Sequence, residues 1–169
     1  MGTRVAPSFA NIYMADFEET HVYTYPKQPE LWTRFIDDIH FLWHFGTEEL
    51  HNFVDYLNSR NDTIRFTLES SELRSHFLDI TVIRGPDGTL CTDLYTKPTD
   101  THNYLPYNSA HAHSHKQGTP YSQFLRIRRI CSKISDFDKH SLHIAQIFLD
   151  KGYPQHLVEN SLIRARRQD

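Results

Sequence analysis

The sequence has few of the features that would settle its class at once. No apolar run approaches the roughly 20 residues needed to span a bilayer. The opening Met1-Gly2-Thr3-Arg4-Val5-Ala6-Pro7 lacks the apolar core of a secretory signal. Both absences point to a soluble intracellular protein, nuclear or cytoplasmic, with no membrane partner. Two cysteines, Cys91 and Cys131, cannot build a disulfide framework and lack the paired spacing of a zinc ribbon, so both are expected as reduced thiols without a disulfide partner. No internal repeat is visible. What remains is ordinary: 38% hydrophobic and 13% aromatic residues in a 169-residue chain, enough for a folded core and richer than a disordered chain.

The net charge of −3 conceals an asymmetry. Residues 1–115 carry 8 Lys and Arg against 16 Asp and Glu, and residues 116–169 carry 10 against 5. An acidic front and a basic rear suggest two jobs, one of them contact with a polyanion.

The periodicities predict an α+β chain. Ala6 to about Tyr25 reads as a helix with Phe9, Ile12, Tyr13 and Phe17 on one face and Pro7 in its first turn. Thr33–Ile36 and Ile39–Trp43 are β-prone runs about Asp37-Asp38, which predicts a tight hairpin with the aspartates as its two turn residues. A helix is expected from Glu48 to Asn58, capped by Thr47, with Leu50, Phe53, Val54 and Leu57 on its apolar stripe. Ile64–Leu68, Phe77–Ile83 and Leu90–Tyr95 read as strands. Lys97–Pro120 reads as a connecting loop. Three helices should follow: Tyr121 to about Ile134, Phe137–Leu149 with Leu142, Ala145 and Leu149 together, and Pro154–Arg167 with Leu157, Val158 and Leu162 together.

Adjacent aspartates in a hairpin turn are chemically unusual. Such turns favour Asn-Gly or Asp-Gly, because positive φ is needed, and neighbouring carboxylates repel. A divalent metal would resolve the conflict, since oxygen ligands suit Mg²⁺ and paired metals serve in-line displacement.

In order, Gly2 to Asn11, Phe35-Ile36-Asp37-Asp38, Phe77-Leu78-Asp79-Ile80, Leu94–Asp100, Pro120–Gln123 and Arg126–Cys131 resemble the reverse transcriptases of Penelope-like retroelements, over nearly the whole chain. The resemblance implies a partial polymerase palm, a small antiparallel sheet with helices, over residues 1–96. A connecting loop, 97–120, would lead to a thumb-like or helix-turn-helix-like module over 121–169. It implies that Asp37 and Asp38 are the catalytic metal ligands for Mg²⁺. Gly2, Ala6, Pro7 and Asn11 would line the template and incoming nucleotide, and Lys97 would lie near the primer. The RNA template and DNA primer are the implied partners. The family's other metal aspartate and its fingers lie upstream of the glycine motif, where this sequence starts, and its C-terminal nuclease domain is lacking too. Ala112 stands where the family tends to have proline. The chain is therefore expected to be an incomplete RNA-directed DNA polymerase, inactive alone and holding Mg²⁺ weakly or not at all.

The basic rear offers a different reading. Arg126, Arg128, Arg129 and Lys133, then Arg164, Arg166 and Arg167, lie on three short helices that resemble the helix-turn-helix domains of retroelement-derived animal proteins. On this alternative the protein is a non-enzymatic nucleic-acid-binding protein, with Arg126, Arg128 and Arg129 contacting phosphate. His102, His111, His113 and His115 cluster in the loop, but their spacing fits no closed four-ligand zinc site, and they are expected to be solvated.

Overall fold

A computed structural model describes residues 4–168. The described residues form an α+β structure in two compact units, residues 1–70 and 71–169. Its elements are α1 (Ala6–Phe17), β1 (Leu31–Phe35), β2 (Asp38–Leu42), α2 (Thr47–Asn58), β3 (Arg74–Phe77), β4 (Ile80–Arg84), β5 (Leu90–Leu94), α3 (His113–Ile130), α4 (Ile134–Asp150) and α5 (Gln155–Arg166).

In the first unit, α1 runs into one wider π-helical turn, Glu18–Val22, which brings Phe17 and Val22 into the core. Only that end of the helix is buried. Phe9, Ile12 and Tyr13, expected to face a core with Phe17, are exposed. Among the described residues of the unit, Asn61 reaches Tyr13 and Arg34 reaches Asn11, while Phe9 and Ile12 stay about two-thirds exposed.

The core instead centres on Phe53 of α2, fully buried and ringed by aromatics. Trp43 stacks on it at 5.0 Å, and Tyr25, Phe41 and Trp32 approach at 5.0, 6.0 and 6.2 Å. Offset and edge-on ring pairs of this kind add to simple area burial. The apolar stripe of α2 is the expected one, Leu50, Phe53, Val54 and Leu57, all buried. Its start differs: Gly46, at φ 82°, is the N-cap, and Thr47 opens the helix without capping it.

Residues Ile64–Leu68 form no strand. The Asn58 side chain replaces a neighbouring strand: its Oδ1 accepts from the Phe66 N–H at 2.7 Å, and its Nδ2 donates to the Phe66 carbonyl at 3.1 Å. Both backbone polar groups of Phe66 are thereby satisfied without a ladder.

In the second unit, β3, β4 and β5 form an antiparallel sheet in that order. The single strand expected over Phe77–Ile83 is a hairpin, because Leu78 and Asp79 turn the chain between Phe77 and its partner Ile80. The helices also shift. Residues 113–120, expected as loop, form the first turns of α3, with Pro120 inside the helix and buried. The Thr119 hydroxyl donates to the His115 carbonyl at 2.7 Å in those turns.

The buried stripe of α4 is Phe137, Ser141, Ile144 and Phe148, whereas Leu142, expected in the core, is 67% exposed. Phe137 and Phe148 lie eleven residues apart, three helical turns, and the small Ser141 between them lets the neighbouring helices close in. Two large rings on one face outweigh a stripe of smaller aliphatics. With Phe124, Ile127, Tyr153, Val158 and Ala165 they make the second core, which draws on all three helices. No described helix is long and apolar enough to cross a membrane.

Candidate nucleic-acid interface

The three C-terminal helices are joined tightly. Cys131, Ser132 and Lys133 link α3 to α4, and Lys151-Gly152-Tyr153-Pro154 link α4 to α5. The second link carries the sharper turn. Gly152 sits at φ 81°, where a side chain would strain the backbone. Tyr153 then drops into the core at 3% exposure, its N–H donating to the Phe148 carbonyl at 3.1 Å. Pro154 follows as the N-cap of α5, its fixed φ suited to a helix start.

The segment before α3 is fastened to this turn. The Tyr107 N–H donates to the Lys151 carbonyl at 3.0 Å, and the Lys151 ammonium donates to Asn103 Oδ1 at 3.3 Å. Tyr104 packs 5.1 Å from Phe148, and Tyr107 packs 5.2 Å from Tyr153. The helical module thus extends back to about residue 103 through ordered, if irregular, chain.

Burial of Val158, Ser161 and Ala165 fixes how α5 faces. The opposite stripe, His156, Asn160, Ile163 and Arg167, is exposed along the whole helix. Beside it, Gln155 Nε2 donates to Glu159 Oε1 at 2.7 Å. Neither His156 nor Asn160 stands out in the sequence. The signal that finds them is the complement of the Leu157, Val158 and Leu162 stripe.

The basic residues divide into tethered and free. Arg126 binds Asp79 through Nε at 2.8 Å and Nη2 at 2.5 Å, and Arg166 binds Asp138 at 2.8 Å. Arg164 lies over the Tyr121 ring at 4.1 Å, a cation–π contact between α5 and α3. Arg128 is half-buried and its Nε has no hydrogen-bond partner. Among the described residues, Arg129, Lys133, Lys139 and Arg167 are exposed and hold no ion pair. Of the three arginines expected at phosphate, then, Arg129 is free, Arg126 is occupied and Arg128 is partly withdrawn.

The aspartate hairpin forms in the first unit. Phe35 pairs with Asp38, so the turn residues are Ile36 and Asp37, and Asp38 begins β2. That places the pair one residue from the expected register. Ile36 takes the strain, at φ 56°, a value costly for a β-branched residue. Asp37 and Asp38 are both exposed at the tip. Behind them Arg34 is held by Glu18 at 2.6 Å, with both side chains 12% exposed, and its Nη1 donates to Asn11 Oδ1 at 3.1 Å. Glu18 also accepts from the Trp32 indole at 3.0 Å. Asn11 thus meets the hairpin through Arg34, while Ala6 and Pro7 are exposed in the first turn of α1. Gly2 lies outside the described residues. Lys97 is exposed beyond β5, in the second unit.

The loop histidines do not converge. His111, His113 and His115 are exposed, with His113 opening α3, and His102 is half-buried 3.8 Å from Asp100. A different trio does meet: Asp93 on β5, Cys131 at the end of α3 and His140 on α4. His140 Nε2 lies 2.8 Å from Asp93 Oδ1, and the Cys131 thiol donates to the same oxygen at 3.6 Å. Burial works against the charged Asp93 carboxylate. The Leu94 N–H, His140 and the Cys131 thiol nevertheless hold it below the usual carboxylate range. Burial pushes the Cys131 thiol up to about 11, so it stays protonated in this network.

Two helices joined by a short glycine-containing turn and packed on a third have the element order of a helix-turn-helix module. The comparisons agree with that geometry. The family model of the animal helix-turn-helix domain matches residues 103–163, which begin where Asn103 and Tyr104 fasten to the module and end within α5. No curated protein matches the chain, and no solved structure does.

Proposed function

We propose that the protein binds nucleic acid through its helix-turn-helix module, with α5 as the helix presented to the major groove of duplex DNA. The observation that carries this reading is the Lys151-Gly152-Tyr153-Pro154 turn between α4 and α5, inside the segment that matches the animal helix-turn-helix domain. In such modules the second helix enters the groove, and residues near its N-terminus meet base edges. His156 and Asn160 occupy those positions on the exposed stripe. Asparagine can pair bidentately with adenine, while Arg129, Lys133, Lys139 and Arg167 are the free cations available to phosphate. The surplus of positive charge over residues 116–169 supports the same partner.

Fluorescence anisotropy of the full chain on mixed-sequence duplex DNA tests this. Binding should weaken linearly on a log–log salt plot, with a slope of about −0.9 per phosphate neutralised. On a preferred site, Asn160→Ala should cost about 1–3 kcal/mol. Leu142→Ala, on an exposed face of α4, should cost nothing in binding. Salt-independent binding, or an N160A/R167A double variant that binds like the parent, would sink the proposal.

A second reading keeps the front of the chain in play: residues 1–96 derive from the palm of a Penelope-like reverse transcriptase. What favours it is the exposed pair Asp37 and Asp38 at a strained hairpin tip, beside Arg34 and Asn11. On this reading the motif residues Gly2, Ala6, Pro7 and Asn11 serve the template and incoming nucleotide, and Lys97 lies near the primer. Mn²⁺, used in place of Mg²⁺, should broaden the amide resonances of residues 35–40, and Asp37→Asn should remove the effect. Uniform broadening across all exposed carboxylates would speak against a site there.

A further inference from the structure

Asp93, Cys131 and His140 reach one point of the second unit from a strand and two helices, and their ligand atoms lie within 4.8 Å of one another. We propose that these three side chains bind a divalent cation of the zinc class, with a fourth position left to water.

Donor chemistry comes first. Thiolate, imidazole and carboxylate are the zinc ligand types, so an entering ion releases the Cys131 proton to solvent, and sulfur selects zinc or cobalt over magnesium, which prefers oxygen alone. Distance comes second. Bond lengths near 2.0–2.3 Å at a tetrahedral centre separate donor atoms by about 3.3–3.6 Å. Cys131 Sγ already stands 3.6 Å from Asp93 Oδ1. His140 Nε2, at 2.8 Å from that oxygen, would move back by about half an ångström as the ion replaced their hydrogen bond.

Support for the ligands comes third. The Ser132 N–H donates to the Thr92 carbonyl at 2.9 Å, and the Thr92 N–H donates to Ser132 Oγ at 2.8 Å. Thr92 Oγ1 also donates to the Ile130 carbonyl at 2.6 Å. These bonds flank Asp93 and Cys131 by one residue each, so two ligands sit on a fixed backbone before any ion arrives. The Leu94 N–H, donating to Asp93 Oδ1 at 2.8 Å, orients the carboxylate, the kind of outer support that metal ligands use. Access comes last: Cys131 is buried, whereas Asp93 and His140 are half-exposed, which places sulfur inside and leaves the open position toward solvent.

An ion held there would staple β5 to the junction of α3 and α4. The site shares no residue with the exposed face of α5, so it can fail or stand independently of DNA binding.

Cobalt is the probe. The reduced full chain, titrated with Co²⁺, should bind one equivalent with a thiolate-to-metal charge-transfer band. Zn²⁺ should displace the cobalt, and excess Mg²⁺ should not. Cys131→Ser should abolish the band, and His140→Gln should weaken binding about tenfold or more. Cys91→Ser should change neither. A band that survives C131S, or wild-type protein that shows no thiolate band at stoichiometric Co²⁺, overturns the site. If C131S loses its helical circular dichroism, H140Q decides, since it alters a half-exposed side chain, and unchanged Co²⁺ affinity there overturns the proposal.

Discussion

Each unit contains a hairpin that turns on the same plan, Phe35-Ile36-Asp37 in the first and Phe77-Leu78-Asp79 in the second, and the two are anchored in opposite ways. In both, the first turn residue is a bulky apolar side chain at positive φ, 56° for Ile36 and 55° for Leu78, and the second is an aspartate. In the second unit the aspartate is the anchor, because Arg126 of α3 closes on Asp79 at 2.5 Å. In the first unit the anchor lies behind the turn, in the Glu18–Arg34 pair, and Asp37 points free with Asp38 beside it. The same local pattern therefore builds the turn in both places, and the neighbouring helix decides whether its carboxylate is spoken for. A turn motif specifies geometry. It does not specify what the carboxylate does.

The largest expected effect separates the two anchors. Glu18→Ala takes the carboxylate from Arg34, which keeps only Asn11 Oδ1 and the Ile36 carbonyl, and leaves the Trp32 indole without its acceptor, a loss of as much as about 3 kcal/mol in this nearly closed setting. Chemical denaturation should show that loss, and hydrogen exchange should place it within residues 1–70. If the variant melts like the parent, the first hairpin is not held from behind.

The shared strain comes next. Ile36→Gly and Leu78→Gly each release a side chain from the left-handed region, worth about 1–2 kcal/mol before the extra flexibility of glycine is subtracted. Both variants should be slightly stabilised. A gain at one turn and a loss at the other would mean that the plan is shared only in outline.

The smallest effect is at the exposed anchor. The Arg126 and Asp79 side chains are 46% and 36% exposed, so Arg126→Ala should cost no more than about 1 kcal/mol, and less in high salt. Its value lies in the second readout. Freed of Arg126, Asp79 resembles Asp37, and any Mn²⁺ broadening confined to the first hairpin in the parent should remain confined there unless a lone turn aspartate suffices.

Much of the architecture was legible in advance, and the misses have identifiable causes. The α2 stripe and the β1–β2 hairpin follow from spacing alone, because Leu50, Phe53, Val54 and Leu57 meet one core and the apolar runs flank one turn. The α4 stripe misled, since Leu142, Ala145 and Leu149 recur at helical spacing as regularly as Phe137, Ile144 and Phe148. Only tertiary packing chooses between two such faces. The strand expected at Ile64–Leu68 failed for a reason no window can show, a side-chain clasp from Asn58. The early start of α3 was hidden by Pro120, which usually closes a helix, not extends one.

At the candidate sites, the three short C-terminal helices and the basic rear were readable. Which cations are free was not, because the partners of Arg126 and Arg166 lie 47 and 28 residues away in sequence. Asp93, Cys131 and His140 were equally invisible: they share no spacing, and only the meeting of β5 with α3 and α4 brings them together.

The uncovered side of α1 has a practical meaning for anyone handling the purified chain. Val5, Phe9 and Ile12 fall on one helical face at 68%, 67% and 70% exposure. Such a stripe carries a colloidal cost, and its consequence is crowding behaviour: light scattering that climbs with concentration while spectra stay unchanged. Ile12→Glu, at a position with almost no packing to lose, is the change that would raise the working concentration and leave the fold alone.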